Sequence, residues 1–195
     1  NLIEYLNNDQ MFDYDPLIKL AVAHYQFEAI HPFRDGNGRA GRILSILLMI
    51  QKKLLDVPIL YLSAFIIANK DDYYALLDKV TTLRSWKEWI QYILKAVEET
   101  AIYTINTIQE IDQLFLKTHE LVNEKLPHIH KELVEKIFEQ PYISPKMLID
   151  KNIKSLNTAK KYMGQMEELG ILIPKKIGKE TVYINIDLLN LLSET

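Results

Sequence analysis

No cysteine occurs among the 195 residues, and arginine (four) and glycine (six) are scarce. Without thiols there is no disulfide framework, no thiolate zinc site and no cysteine nucleophile, and the composition fits a reducing compartment such as the cytoplasm. Long apolar runs are missing as well. The longest, Ile43 to Ile50, is interrupted by Ser45 and flanked by Arg42 and Lys52, far short of the ~20 residues a membrane-spanning helix needs. The first residues show no charged-then-apolar leader pattern and read like the middle of a helix, so the chain is expected to be part of a longer protein. A net charge of -3 excludes a global basic surface of the kind that drives non-specific nucleic-acid binding. The charge is uneven: residues 1–127 hold 13 Lys and Arg against 17 Asp and Glu, whereas residues 128–195 hold 10 against 9. No internal repeat or low-complexity stretch occurs.

What is present suits a core. Hydrophobic residues make up 48% and charged residues 25%, enough for one medium domain or two small ones. The pattern is mainly helical. Asp15-Pro16 has an N-cap residue followed by proline at the first helical position, and Leu17, Leu20, Ala21, His24 and Tyr25 continue at helical spacing. That helix should stop before His31, because Pro32 disfavours the α conformation in its predecessor. Ile43, Ile46, Leu47 and Ile50 mark a second helix, apolar nearly all round and therefore expected to be buried at a domain centre. Pro58 separates it from a short stretch, Tyr61 to Ala68, and Lys70 to Val80 forms another helix. Trp86 to about Lys125 reads as one or two long helices whose apolar positions suit packing or pairing, including pairing with a second copy.

The character changes after Pro127. Ile129, Leu133, Ile137 and Phe138 predict a short helix, Ser144-Pro145 opens a second, and Leu156 to Leu169 is a third, with Ala159, Tyr162, Met163 and Met166 on one side and Gly170 as its C-cap. Ile171-Leu172-Ile173 and Thr181-Val182-Tyr183-Ile184, joined around Gly178, predict a β-hairpin. Three helices followed by a hairpin is the order of a winged helix-turn-helix. The expected organisation is a helical domain over residues 1–126 and a small winged-helix domain over 127–195.

Three of the six glycines fall between Gly36 and Gly41. Gly36-Asn37-Gly38 can turn successive backbone N–H groups inward as an anion nest, and the following helix adds its N-terminal dipole. Arg39 and Arg42, three apart, share one face of its first turn and aim at the same anion. Asp35 would repel a bare phosphate, but one carboxylate together with phosphate oxygens is how Mg²⁺ is usually held. The segment therefore asks for a Mg-bound polyphosphate. His31, at the mouth of the loop, can accept a proton near neutral pH. Phe33, two residues on, should point the other way and anchor the loop in the core.

The run from His31 to Arg42, His-Pro-Phe-Arg-Asp-Gly-Asn-Gly-Arg-Ala-Gly-Arg, resembles the signature of the Fic family, His-x-Phe-x-Asp/Glu-Gly-Asn-Gly-Arg-x-x-Arg, at every fixed position. The preceding Ala23-His24-Tyr25-Gln26-Phe27-Glu28-Ala29-Ile30 and the later Tyr73-Tyr74 are similar to that family too. The resemblance spans roughly residues 1–125, and the remainder resembles the winged-helix modules that some Fic proteins carry. It implies a protein adenylyltransferase. His31 would be the general base for a Ser, Thr or Tyr hydroxyl of a target protein, or of the chain itself, and that hydroxyl would attack the α-phosphate of ATP. Asp35 would hold Mg²⁺. The backbone of Gly36 to Gly38 and the Asn37 side chain would grip the phosphates, Pro32, Phe33 and Arg34 would belong to the same nucleotide loop, and Arg39 and Arg42 would neutralise the departing charge. Tyr73 and Tyr74 would lie near the adenine. The hairpin flap that precedes the signature in that family would lie before residue 1, and no Ser/Thr-x-x-x-Glu-Gly/Asn inhibitory helix is found in the sequence.

Several other residues have a plainer reading beside a functional one. His24 sits on an apolar face and is expected in the core or just behind the site. His128 and His130 have metal-like spacing without completing carboxylates or thiolates, which predicts surface residues. On the Leu156–Leu169 helix, Asn157 could read a base while Lys154, Lys160 and Lys161, with Lys175, Lys176 and Lys179 of the wing, meet phosphates. The same lysines could equally be a solvated face of a protein-contact module, and no arginine, the commonest base-reading residue, follows Arg84. Two alternatives to adenylylation stay open: a nucleotide-sensing DNA-binding regulator, and a transferase using another nucleotide donor.

Overall fold

The computed structural model describes residues 1–178 and 180–193, so Lys179 of the expected wing lies outside the described residues. The chain divides into two compact units, Asn1–Ile105 and Asn106–Thr195.

The first unit is all helical: α1 (Leu2–Asn7), α2 (Pro16–Ile30), α3 (Asn37–Gln51), α4 (Leu62–Ala68), α5 (Lys70–Leu83) and the first half of α6 (Trp86–Lys125). Helix α2 begins as the sequence predicts, with the Asp15 carboxylate accepting from the Leu17 N–H at 2.8 Å. It ends at Ile30, and His31 adopts a left-handed backbone (φ 49°) while its N–H still bonds to the Phe27 carbonyl. The core gathers around Trp89, which is fully buried and donates its indole N–H to the Ala21 carbonyl at 2.8 Å. The rings of His24, Tyr25, Tyr73 and Tyr92 surround it, and Leu20, Leu48, Met49, Phe65 and Val80 belong to the same core.

Helix α3 departs from expectation. Only the face with Asn37, Gly41, Ser45, Leu48 and Met49 is buried, while Ile43 and Leu47 on the opposite side are 61% and 56% exposed. The reason lies in which residues face α2: the small Gly41 and Ser45 meet it and allow a close approach, Leu48 and Met49 complete the buried side, and Ile43 and Leu47 are left on the outer face.

A buried ammonium ties α1's following loop to both central helices. Lys19 of α2 is 1% exposed and donates to Asp9 at 2.6 Å, and Lys52 at the end of α3 donates to the same carboxylate. The hydrogen bonds from Lys19 and Lys52 hold the Asp9 carboxyl down at about 2.

The second unit holds the rest of α6, then α7 (Lys131–Lys136), β1 (Tyr142–Ile143), a 3₁₀ turn (Pro145–Leu148), α8 (Leu156–Glu168), β2 (Ile173–Ile177), β3 (Glu180–Ile184) and α9 (Ile186–Ser193). β3 is central in an antiparallel sheet of order β1-β3-β2, with Tyr142 opposite Ile184 and Lys175 opposite Val182. Leu133, Ile137, Leu148, Ala159, Met163, Met166 and Leu172 form the core, joined by Val122 and Leu126 from the end of α6. The second of the three expected helices is only this 3₁₀ turn, because Pro145 starts it and Ile149 is already extended. The hairpin is present and its turn passes through Gly178 at φ 62°, but β2 begins at Ile173, later than the apolar run suggests. Strand β1 carried no sequence signal; helix α9 was not expected, although Asn185 precedes it as a capping side chain, accepting from the Leu188 N–H at 3.2 Å, and its leucines recur at helical spacing. The long helix α6 is single and ends at Lys125, next to the expected boundary, whereas the compact units divide within it at Ile105.

Replacing Asp9 with alanine leaves Lys19 buried without its anion, which is strongly unfavourable. The expected outcome is a lower Tm at neutral pH. Because Asp9 is held below its ordinary 3.8, its contribution is present above that value and fades as pH falls toward about 2. Thermal denaturation across that window should show the gap between wild type and Asp9→Ala closing toward low pH; a constant gap would contradict the assignment.

Candidate active site

The glycine-rich segment connects α2 to α3 and forms one wall of a cleft of about 390 Å³, whose opposite wall is Ile66 and Ile67 of α4 with Lys70, Tyr73 and Tyr74 of α5. His31, Arg34, Asp35, Gly36, Asn37, Gly38, Arg39 and Arg42 all line it. The larger cavity of about 640 Å³ beside α1 and α2, bordered by Tyr5, Phe12, Phe27, Ile30 and Pro32, has no acidic, basic or imidazole side chain in its lining. Pro32 thus faces that other cavity and not the cleft.

The loop is built by its own side chains. Gly36 takes φ 82° to cap α3, a conformation open to glycine at no steric cost. Its N–H bonds to the Asp35 carboxylate at 2.7 Å, and Arg39 approaches the other carboxylate oxygen at 3.8 Å. Asn37 is 3% exposed, and its amide both accepts from the Phe33 N–H at 2.9 Å and donates to the Phe33 carbonyl at 2.7 Å. Both amide ends therefore serve to close the loop, with one amide N–H of Asn37 not used by these bonds. Phe33 is 55% exposed and touches Phe27 at a ring separation of 6.4 Å, so it does not anchor the loop in the core. The Asn37 amide does that work instead, which frees the phenyl ring to remain outside.

A carboxylate that the sequence reading left unassigned joins the site. Glu28 lies one turn before His31 on α2, and its Oε1 is buried over Gly41, where a Cβ would approach it to 2.4 Å. Burial raises the Glu28 pKa, opposed by the positive charges of His31 and Arg42. Neither Glu28 Oε1 nor Arg42 Nε has a hydrogen-bond partner among the described residues, although both are buried beside the cleft. The spacing of His24, Glu28 and His31 along one face of α2 was a legible signal for Glu28.

His24 is 3% exposed, as a core histidine should be. Its Nδ1 lies 3.0 Å from Ser45 Oγ and its Nε2 lies 2.9 Å from the Tyr73 hydroxyl. Burial lowers its pKa to about 4, with the Gly41 carbonyl pulling it up and the Arg42 charge adding to the decrease, so the imidazole is neutral at physiological pH. Tyr73 is 4% exposed with its hydroxyl turned to His24, and burial raises its pKa. Tyr74, 57% exposed, is the aromatic that stands free in the cleft. His128 pairs with Gln165 at 3.0 Å on the surface, and no cluster of three or more metal-ligating residues occurs among the described residues.

A Mg-nucleotide fits this geometry. The single carboxylate of Asp35 is 96% exposed at the cleft, a donor set that requires phosphate oxygens to complete a magnesium shell. Side chains at Gly36 and Gly38 would crowd the Arg39 and Arg42 guanidiniums at 3.3 and 3.2 Å. The unpartnered Arg42 Nε supplies a donor that an anion would satisfy.

Residues 1–49 match the Fic/DOC family, and residues 114–188 match the C-terminal domain of SoFic-like protein adenylyltransferases. A protein adenylyltransferase of Caenorhabditis elegans is 28% identical over 137 residues, covering 70% of this chain and 25% of that protein. A probable protein adenylyltransferase of Aquifex aeolicus is 29% identical over 156 residues, covering 77% of this chain and 44% of that one. The crystal structure of a Fic family protein from Desulfovibrio desulfuricans superposes with a TM-score of 0.50 at 19% identity, over 94% of this chain and 52% of that one, a likeness of fold. The chain spans less than half the length of the first two relatives.

Gly36→Ala should cost about 1–2 kcal/mol for the left-handed backbone. Gly170→Ala, at φ 74° with open space around it, should cost a similar amount. Only the first should weaken polyphosphate binding, measured by titration calorimetry alongside thermal denaturation. Equal affinity in the two variants would argue against the nest.

Proposed function

We propose that this Fic-family chain transfers an AMP group from ATP to a Ser, Thr or Tyr hydroxyl of a protein, with His31 as general base. The observation that supports it most is the convergence of His31, Asp35, the Gly36–Gly38 backbone and Arg42 on one cleft lining. The relatives named protein adenylyltransferases support the same class of reaction.

In this reading His31 accepts the proton of the attacking hydroxyl as its oxygen bonds to the α-phosphorus. The bond from that phosphorus to the bridging oxygen breaks, and pyrophosphate leaves with its electron pair. Arg39 and Arg42 stand where the leaving charge accumulates, and the first N–H groups of α3 face the phosphates. Asp35 would hold Mg²⁺, which when bound supplies charge neutralisation between phosphate oxygens. Tyr74, backed by Tyr73, would stack near the base. The domain boundary at 126/127, the cytoplasmic location suggested by the lack of cysteine, self-modification and pairing through α6 belong to the same proposal.

The experiment is incubation of the full-length protein with α-labelled ATP and Mg²⁺, followed by mass spectrometry of the adduct. His31→Ala should reduce labelling by roughly 10²–10⁴-fold. Absence of any adduct on the protein itself or in a lysate would reject the transferase reading, and label from another nucleotide with none from ATP would indicate a different donor.

A second reading concerns residues 127–195 as a winged helix. Asn157, Lys160 and Lys161 on α8, with Lys175 and Lys176 on β2, are all exposed, as a DNA-reading face requires. It predicts sequence-selective DNA retention that strengthens at low salt. Identical binding curves across unrelated duplexes would leave this face to protein contact.

A further inference from the structure

The buried hydrogen bonds around His24 have a single consistent direction. Ser45 donates its only hydroxyl proton to the Gly41 carbonyl at 2.9 Å. Its oxygen must then accept at 3.0 Å from His24, which places the imidazole proton on Nδ1. Nε2 is left as a bare acceptor, and the Tyr73 hydroxyl 2.9 Å away donates to it. The chain Tyr73→His24→Ser45→Gly41 carbonyl therefore has every proton assigned and runs from α5, through α2, to the first turns of α3.

Its two ends are the two walls of the cleft. At one end Tyr73 packs edge-on against Tyr74, with ring centroids 5.3 Å apart, and Lys70 lies over the Tyr74 ring at 5.8 Å. At the other end Gly41 precedes Arg42 and follows the glycine nest by one turn. The imidazole between them is stacked on Trp89, 6.0 Å between centroids and 17° from parallel, so it cannot swing without disturbing a large, fully buried side chain of the core. Among the described residues a second side-chain bond between α5 and α2, joining Thr81 and Tyr25, lies more than two turns further along α5, and neither residue lines the cleft. The gap between the aromatic wall and the phosphate nest is thus spanned by hydrogen bonds of fixed length.

We propose that His24, oriented by Ser45, is a positioning residue which fixes the aromatic wall of the cleft through the bond it accepts from Tyr73 and so determines nucleotide affinity. The inference rests on the nucleotide reading above. His24 itself touches no ligand; it acts through Tyr73 and Tyr74 on the base.

The test compares two amides that each keep one end of the chain. Glutamine at position 24 carries an acceptor near the place of Nε2 and preserves the Tyr73 bond. Asparagine carries a donor near Nδ1 and preserves only the Ser45 bond. Kd for ATP, with and without Mg²⁺, is measured by calorimetry below the Tm of every variant, together with thermal denaturation. Expected are a loss of about tenfold in His24→Asn and Tyr73→Phe, a loss within about threefold in His24→Gln, and no further loss when His24→Asn and Tyr73→Phe are combined. Tyr73→Phe, which removes one hydroxyl, carries the test if the His24 variants do not fold. Unchanged affinity in Tyr73→Phe, or losses that follow Tm with glutamine no better than asparagine, would overturn the positioning role. If the wild type itself does not bind ATP, the nucleotide reading fails first, and the two failures are told apart by that single control.

Discussion

The close approach of α2 and α3 is the constraint on which the site depends. It is made possible at Gly41, where the absence of a side chain lets Glu28 and Phe27 of α2 lie directly against the backbone of α3. One turn further, Ser45 is small enough to meet His24. These contacts bring the C-terminal end of α2, where His31 sits, beside the N-terminal end of α3, where N–H groups are unpaired by helix geometry. A base and an anion nest are adjacent because two helix ends of opposite polarity share one short connection. The buried Lys19 and its Asp9 secure the far end of the same pair, so it is fastened by a polar contact at each extremity and by apolar packing between them.

The second unit solves a different problem. Apart from the end of α6 its helices are short, and α8 places Ala159, Met163 and Met166 at zero exposure while the lysines of the opposite face remain in water. The sheet adds β1 as a third strand beside the hairpin, which leaves β2 at the edge with Lys175 and Lys176 outward. Charged edge residues of this kind discourage further strand pairing.

Much of this was legible in the residues themselves. Asp15-Pro16 and the His31-Pro32 stop delimited α2, Gly170 marked the end of α8, and the spacing of Asp35, the glycines and the two arginines pointed to the cleft. Other features depended on packing that periodicity does not encode. Ile43 and Leu47 look like core residues until the small residues on the other face of α3 are seen to be the ones that meet α2. Phe33 looks like an anchor until Asn37 is found bonding both backbone groups of that residue. Tyr73 and Tyr74 are neighbours of one type in sequence, yet a helix turns them about 100° apart, so one became a buried hydrogen-bond donor and the other a surface ring. Strand β1 is two residues long and exists only because β3 offers it an edge, a non-local reason that no local pattern contains.

The left-handed backbone of His31 has a bearing on how this position can drift over generations. Histidine belongs, with asparagine and aspartate, to the side chains enriched at positive φ, so conformation and chemistry select the same residue here. Valine or isoleucine would meet a steric barrier before any question of reactivity arose. A lineage that abandoned the reaction while keeping the fold would be steered toward asparagine, aspartate or glycine at this site. Such a replacement, between an intact α2 and an intact glycine nest, would be the trace of a retired catalyst that still grips its ligand.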